Sequence, residues 1–235
     1  MLGIFQKLAA LAICCVLIAV SGCAATAENA SGLMARAMGK KTVEEELHIR
    51  TPDDHIKDLK ELAKTAGKKS PEEQQKICAQ LAEDLKHEDN PQMRRHILRT
   101  LGAYKTPLAF TMVSAGLKDS DADVRRVACE QVGLQGGPAA VEELTRVITG
   151  DTDADVRIAA VRALGHTGEK GALAPLAEAL ADADPAMQFR AQESLRTVSG
   201  RDFGGNVSAW REYAATGNAS APEVNLAERW RRKLF

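Results

Sequence analysis

Apolar residues in the central part of the chain recur with the period of an α-helix. Val141, Leu144 and Ile148 mark one apolar stripe, and a second stripe runs from Val156 to Leu164. Spacings of three and four residues place the members of each stripe on one face of a helix. Acidic and small residues lie between the stripes, which is typical of a turn that caps the second helix. The pattern predicts a pair of helices and an all-α fold.

This helix pair recurs along the chain. The sequence DSDADVR begins at Asp119 and returns as DTDADVR at Asp151, with weaker copies that begin at Glu88 and Asp182. The units also end in one register, at Leu101-Gly102, Val132-Gly133 and Leu164-Gly165. Four units of about 31 residues therefore run from about residue 71 to residue 200. Helix starts are marked by a capping residue followed by proline, at Ser70-Pro71, Asn90-Pro91, Thr106-Pro107 and Asp184-Pro185.

A single unit cannot bury its apolar face, so the units are expected to stack into an α-α superhelix within residues 51–216. An amphipathic helix across 53–66, with Ile56, Leu59 and Leu62 on one face, is predicted as the N-terminal cap. A segment at 207–215 with Trp210 and Tyr213 is predicted as the C-terminal capping helix. The expected domain is a solenoid of about four helix pairs with one helix at each end.

The repeats resemble the HEAT-repeat family, in particular the short HEAT-like repeats first associated with phycobilisome lyases. The family pattern is Leu-x-Asp, then Val-Arg, Ala-rich turns and Leu-Gly, and two units carry it. They match it at Leu117, Asp119, Val124, Arg125, Ala128 and Gly133, and at Asp151, Val156, Arg157, Ala160, Leu164 and Gly165. The resemblance implies a structural ladder between repeats made by Asp119, Arg125, Asp151 and Arg157. The fourth unit departs from the pattern because Gln188 stands where arginine is expected, which puts its ladder contact in question.

The N-terminal segment predicts export and lipid attachment. Lys7 is followed by an apolar run from 8 to 20, which is the layout of a signal peptide and is shorter than the roughly 20 residues of a membrane span. Val20-Ser21-Gly22-Cys23 resembles the lipobox of bacterial lipoproteins, which implies removal of residues 1–22 and acylation (palmitate) of Cys23. The alternative is cleavage after Ala27 to give a soluble exported protein. Residues 23–50 are then a flexible tether, and the protein is expected in the bacterial cell envelope, facing the periplasm or the exterior.

Two rows of side chains on the second helices form the candidate partner-binding face. Residues in register across the units read Arg95, Arg126, Ile158 and Phe189 in one row, and Arg99, Glu130, Arg162 and Glu193 in the other. The first row is basic at one end and apolar at the other, which suits a partner with an acidic and an apolar patch, or is incidental exposure. The second row alternates in sign, which favours salt bridges between repeats over a binding function.

The C-terminal segment, residues 217–235, reads as a linker and a basic amphipathic helix. Leu226, Trp230 and Leu234 share one face, while Arg229, Arg231, Arg232 and Lys233 occupy the others. Such a helix suits an anionic lipid surface, as a second attachment beside Cys23, or a partner groove. The alternative is that it folds back on the stack.

Composition and motifs argue against several functions. Lysine and arginine number 31 against 32 acidic residues, a net charge of −1 that lacks the basic excess of a nucleic-acid binder. Cys78 and Cys129 stand alone in helical patterns, as small core residues do, so that no disulfide framework or metal site is expected. His87-Glu88 is the one His-Glu dyad, whereas HEAT-like di-iron hydroxylases need several. No catalytic motif, cofactor or metal site is predicted.

The sequence therefore predicts a non-enzymatic, lipid-anchored scaffold or adaptor that binds another envelope protein. The alternative is an accessory subunit or lyase-like enzyme whose catalytic groups no motif identifies. The sequence does not name the partner, the pathway or the oligomeric state.

Overall fold

The computed structural model describes residues 51–221, and this part of the chain is helical, without a strand. Ten α-helices follow one another in it. They are α1 (Pro52–Thr65), α2 (Pro71–His87), α3 (Pro91–Gly102), α4 (Pro107–Ala115), α5 (Ala122–Gln135), α6 (Gly137–Gly150), α7 (Ala154–His166), α8 (Leu173–Ala179), α9 (Pro185–Ser199) and α10 (Val207–Thr216). The all-α prediction is confirmed.

Local sequence signals explain where these helices begin. Ser70 accepts a hydrogen bond from the N–H of Glu73, whose side chain accepts in return from the N–H of Ser70, so a complete capping box starts α2. Acidic, amide or hydroxyl side chains cap six of the later helices by accepting a hydrogen bond from a backbone N–H of the first turn. These caps are Asn90, Thr106, Asp121, Asp153, Asp184 and Asn206.

The helices form two layers. Four antiparallel pairs, α2–α3, α4–α5, α6–α7 and α8–α9, place their second helices in one continuous row that α1 extends at the N-terminal end. The first helices form the other layer, in which α10 packs against α8. The predicted solenoid of four pairs with a helix at each end is therefore confirmed. The two end helices belong to different layers, because α1 takes the place of a second helix and α10 that of a first helix.

Small residues allow the second helices to lie close together. Ala128, Ala160 and Ala191 occupy equivalent places in α5, α7 and α9, and all three are fully buried. A methyl group added to Gly133 would lie 2.6 Å from the backbone oxygen of Ala163 in the next second helix. The glycine near the end of each of these repeats thus marks a point of close approach between neighbouring helices.

Aromatic and polar contacts close the two ends. At the C-terminal end Trp210 is fully buried, and its indole N–H donates to the carbonyl of Gly204 at 2.9 Å. The ring of Phe203 packs edge-on against it, with centroids 4.8 Å apart. At the other end the hydroxyl of Tyr104 donates to the carbonyl of Leu62 at 3.1 Å and ties α1 to the first pair. The predicted Trp-containing cap is confirmed.

Both cysteines of the described region are buried and unpaired, as predicted for core residues. Burial raises the pKa of Cys129 to about 12, so its thiol stays protonated and inert. The predicted signal peptide and tether, residues 1–50, and the predicted C-terminal helix around Leu226 to Leu234 lie outside the described residues. Within 51–221, none of the helices has the length and apolarity that crossing a membrane requires.

Candidate binding face on the second helices

Two arginines of the second helices each bind an aspartate in the turn between the two helices of the next pair. Arg94 of α3 donates from Nε and Nη2 to Asp119 at 2.8 and 2.7 Å, and Arg125 of α5 binds Asp151 in the same two-pronged way at 2.8 and 3.0 Å. Burial opposes ionisation of both carboxylates, but the guanidinium hydrogen bonds and a backbone N–H outweigh it and lower the pKa of Asp119 and Asp151. Asp119, Arg125 and Asp151 thus lie in a ladder between repeats, together with Arg94.

The predicted ladder did not include Arg94, although the repeat pattern of the sequence contains a signal for it. Arg94 ends the repeat copy that begins at Glu88, at the position that Arg125 takes in the next copy. Its Nη1 also donates to the backbone oxygens of Glu88 and Asp89, as Arg125 does to those of Asp119 and Ser120. A strict register comparison of all four copies would have identified it.

The ladder stops before the fourth pair, so the role expected for Arg157 is wrong. Arg157 donates to the backbone oxygens of Asp151 and Thr152, but no ion pair joins it to Asp182 among the described residues. Helix α8 has seven residues, and Asp182 in the turn that follows it is exposed to water. Gln188 still donates to the backbone oxygen of Asp182 at 2.6 Å. The gap therefore lies at Arg157, one step before the position that the sequence indicated.

The row of Arg95, Arg126, Ile158 and Phe189 occupies the fifth position of α3, α5, α7 and α9. Asp123 pairs with both of its arginines, with Arg126 Nη2 at 2.6 Å and Arg95 Nη1 at 3.4 Å. The hydrogen bond from Arg126 holds the pKa of Asp123 below its usual value. The basic end of this row is therefore internally paired.

The apolar end of the same row is divided. Ile158 is half-buried and packs against the core, because α9 lies beside α7. Phe189 is 58 % exposed, because α10 lies in the other layer and the described region places no second helix beyond α9. Phe189 alone provides a large exposed apolar side chain in this row.

The alternating row of Arg99, Glu130, Arg162 and Glu193 occupies the ninth position of the same helices. Within the described residues no ion pair joins any two of its members, so the inter-repeat salt bridges favoured from the sequence are not present. Glu193 instead pairs with Arg196, one turn further along its own helix. This proximity within one helix explains why Glu193 does not reach across to Arg162.

A surface groove of about 450 Å³ crosses the second-helix layer between α5, α7 and α9. Three of the eight predicted face residues line it, namely Arg126, Ile158 and Arg162, and the groove adds Arg190 of α9. Sequence reasoning missed Arg190. Arg190 occupies the position in α9 that the buried apolar residues Val127 and Ala159 occupy in α5 and α7. A charged residue at this position was the signal that could have identified it. Asp123, Asp153 and Asp155 also line the groove.

A second hollow of about 580 Å³ lies on the other side of α9. Phe189 lines it, together with Leu180 and Pro185 before the helix and Val207 at the start of α10. The two hollows flank the first half of α9. They place guanidinium groups and an exposed aromatic ring on neighbouring surfaces.

The chemistry of this face is that of recognition by charge and apolar contact. Within residues 51–221, no three His, Cys, Asp or Glu side chains are grouped so as to hold a metal ion. The His87-Glu88 dyad ends α2, and the ring of His87 contacts Glu83 at 2.9 Å. His96 lies on α3 beside Arg95 and Arg99, and burial, followed by these cations, lowers its pKa.

The match to a protein-family model agrees with this architecture. Residues 110–196 match the family model of HEAT repeats. Among solved structures the chain is similar to human deoxyhypusine hydroxylase in complex with glycerol, with 22% identity and a TM-score of 0.48. That similarity covers 52% of this chain and 43% of the other, less than half of its length, and it concerns the fold alone. None of the curated proteins matches the sequence.

Proposed function

Residues 110–196 form a HEAT-repeat segment, and from this premise we propose that the protein is a lipid-anchored adaptor of the bacterial cell envelope. Its second-helix face binds another envelope protein, and the chain has no catalytic role of its own. Stacked helical repeats present extended surfaces on one side, which is how such folds bind partners. Cys23 attaches the stack to the membrane, and residues 23–50 serve as its tether.

The observation that carries the binding role is the groove between α5, α7 and α9. It combines guanidinium groups, a half-buried isoleucine and a neighbouring exposed phenylalanine on a rigid helical layer. Exposed aromatic and arginine side chains are typical anchors of protein interfaces. Phe189 is one of two large apolar side chains that are exposed in the described region, the other being Leu134.

Site-specific photo-crosslinking in intact cells tests the binding role. A photoreactive phenylalanine analogue at position 189 should give a discrete covalent adduct with one envelope protein. The same analogue at Ala139, which is exposed on first helix α6, should not give that adduct. An equal pattern of adducts from both positions would contradict a specific binding face. Turnover of a substrate by the purified chain without a partner would favour the enzymatic alternative instead.

The anchor is tested by Cys23→Ala, with Cys15→Ala as the matched control in the same leader. The Cys23 variant should leave the membrane fraction and lose its acyl chain in mass spectra, because the thiol is the lipid acceptor. The Cys15 variant should remain attached. Membrane retention of the Cys23 variant would shift the attachment to the C-terminal segment, and a wild-type N-terminus at residue 28 would establish the soluble exported form.

A further inference from the structure

We propose that Arg162 and Arg190 bind a carboxylate in an acidic segment of the partner protein, and that Phe189 packs against an apolar side chain of that segment. This inference rests on the adaptor function, because it specifies the partner chemistry of the same face. It differs from the expectation based on the sequence, which placed the basic end of the face at Arg95 and Arg126.

The ion pairs on the face support the choice of Arg162 and Arg190 over Arg95 and Arg126. Arg95 and Arg126 share Asp123, so one carboxylate already engages both guanidinium groups. Arg162 and Arg190 have no ion pair with an acid among the described residues. A carboxylate arriving at Arg95 or Arg126 meets a guanidinium group that Asp123 already engages, whereas one arriving at Arg162 and Arg190 meets two guanidinium groups that have no ion-paired acid among the described residues.

The geometry of the groove favours a carboxylate rather than a neutral group. Arg162 lies on α7 and Arg190 on α9, which are packed neighbours, and both side chains line one groove. Guanidinium groups bind carboxylates through two parallel N–H···O bonds, and arginine keeps its charge at every physiological pH. Ile158 and Ala159 also line this groove, and reduced contact with water beside apolar side chains strengthens such hydrogen bonds.

The acids in the groove set the direction of approach. Asp153 is engaged as the cap of α7, where it accepts from the N–H of Val156 at 3.1 Å. Asp155 lies two helical turns before Arg162, about 10 Å along the helix axis. An acidic segment therefore approaches from the α9 side and avoids Asp155. The acids Asp123, Asp155 and Glu130 on the same face also disfavour a long polyanion such as a nucleic acid.

The apolar anchor lies one helix width away. Phe189 precedes Arg190 on α9 and lines the hollow on the other side of that helix, with Leu180 and Val207. A helix with its side chains is about 10 Å wide, which an extended chain crosses in about three residues at about 3.3 Å each. The fitting segment thus carries an acidic residue and, about three residues away, a large apolar side chain.

A peptide-binding measurement with the full chain in detergent tests this inference. The probe is a dye-labelled peptide, Gly-Glu-Glu-Ser-Gly-Phe-Leu-Gly with blocked ends, and binding is followed by fluorescence anisotropy. Two matched peptides replace both glutamates by glutamine or replace Phe-Leu by Ala-Ala. We expect the first peptide to bind, each replacement to weaken binding about tenfold or more, and added salt to weaken it further.

Protein variants then locate the site. Arg162→Gln and Arg190→Gln should each weaken peptide binding about tenfold, and Phe189→Ala should also weaken it. Arg126→Gln should cost less, because Asp123 already holds that side chain. Arg146→Gln is the matched control, since Arg146 lies on first helix α6, and it should bind as the wild type does. Circular dichroism melts establish that each variant is folded.

Several results would overturn the inference. Absence of peptide binding, equal binding of the glutamate and glutamine peptides, or equal losses for Arg126→Gln and Arg162→Gln would each do so. The adaptor function is judged separately, by the adduct from position 189 in cells. If that adduct persists in the double variant Arg162→Gln and Arg190→Gln, the inference fails and the adaptor function stands. If the chain with the analogue at position 189 and both arginines in place gives no adduct, the adaptor function itself fails.

Discussion

Individual aspartates of this chain have different roles although they occur in nearly identical turns. Asp119 and Asp151 are largely buried and bind an arginine of the preceding second helix through two hydrogen bonds. Asp123 lies in water and joins two arginines of the candidate face. The sequence shows the same residue type at each place, and only the position of the neighbouring helix decides which aspartate stabilises the stack.

Asp151→Asn should destabilise the fold by about 2 kcal/mol, because it removes the charge from a partly buried, hydrogen-bonded ion pair and leaves Arg125 without a counter-charge. Asp155→Asn is the control. It changes an exposed acid one turn away and should alter the free energy of unfolding by less than about 0.5 kcal/mol. Urea unfolding followed by circular dichroism measures both. Equal effects would contradict a structural ladder.

The pH dependence of this effect follows from the lowered pKa of Asp151. The unfolded chain holds this carboxyl near its usual 3.8, and the folded chain holds it lower. The contribution of the ion pair is therefore complete above pH 3.8 and is lost as the pH falls through the folded value. The stability difference between wild type and Asp151→Asn should be constant from pH 7 to 5 and shrink below pH 3.8 in urea titrations.

At the scale of the helices, the close contacts between neighbouring second helices depend on glycine residues. Gly133 faces the backbone of Ala163, and Gly165 faces the side chain of Ser194, which donates to the carbonyl of Val161 at 3.0 Å. These helices were predictable because periodicity, caps and prolines all agree. The recurrence of Gly133 and Gly165 at the same position of successive repeats was also visible in the sequence. The atoms that these glycines face, however, belong to the neighbouring repeat.

Gly133→Ala should destabilise the stack by about 2 kcal/mol, because the new methyl group would overlap the Ala163 carbonyl and push α5 away from α7. Gly150→Ala is the matched control, since a methyl group added at this position of α6 would meet no atom within 4 Å. The control should raise the free energy of unfolding by about 0.5 kcal/mol through the entropy of the unfolded chain. Thermal and urea unfolding measure both changes. A stabilising Gly133→Ala would show that the helices are not in close contact.

At the scale of the whole described stack, each pair is held only by its neighbours. Salt bridges join the first pair to the second and the second to the third, through Arg94–Asp119 and Arg125–Asp151. The step from the third pair to the fourth has no equivalent among the described residues. The last pair also contains the short helix α8.

Native-state hydrogen exchange should therefore show lower protection in α8 than in α5 and α7. The expected cause is opening of the fourth pair at a lower free energy than global unfolding. Exchange measured by mass spectrometry at increasing urea resolves these segments. Arg125→Gln removes a ladder step elsewhere and should create a second early opening after α5. A single opening free energy for all helices would contradict the nearest-neighbour picture.

The sequence by itself determined the helices, their caps, the repeat register and the small residues at the contacts, because each depends on neighbours along the chain. The tertiary structure decided which charges remain uncompensated. Asp123 pairs with both Arg95 and Arg126, no acid forms an ion pair with Arg157 among the described residues, and Arg190 and Arg162 line one groove. Such pairings depend on distances of a few ångströms between different repeats, which the order of residues along the chain does not fix.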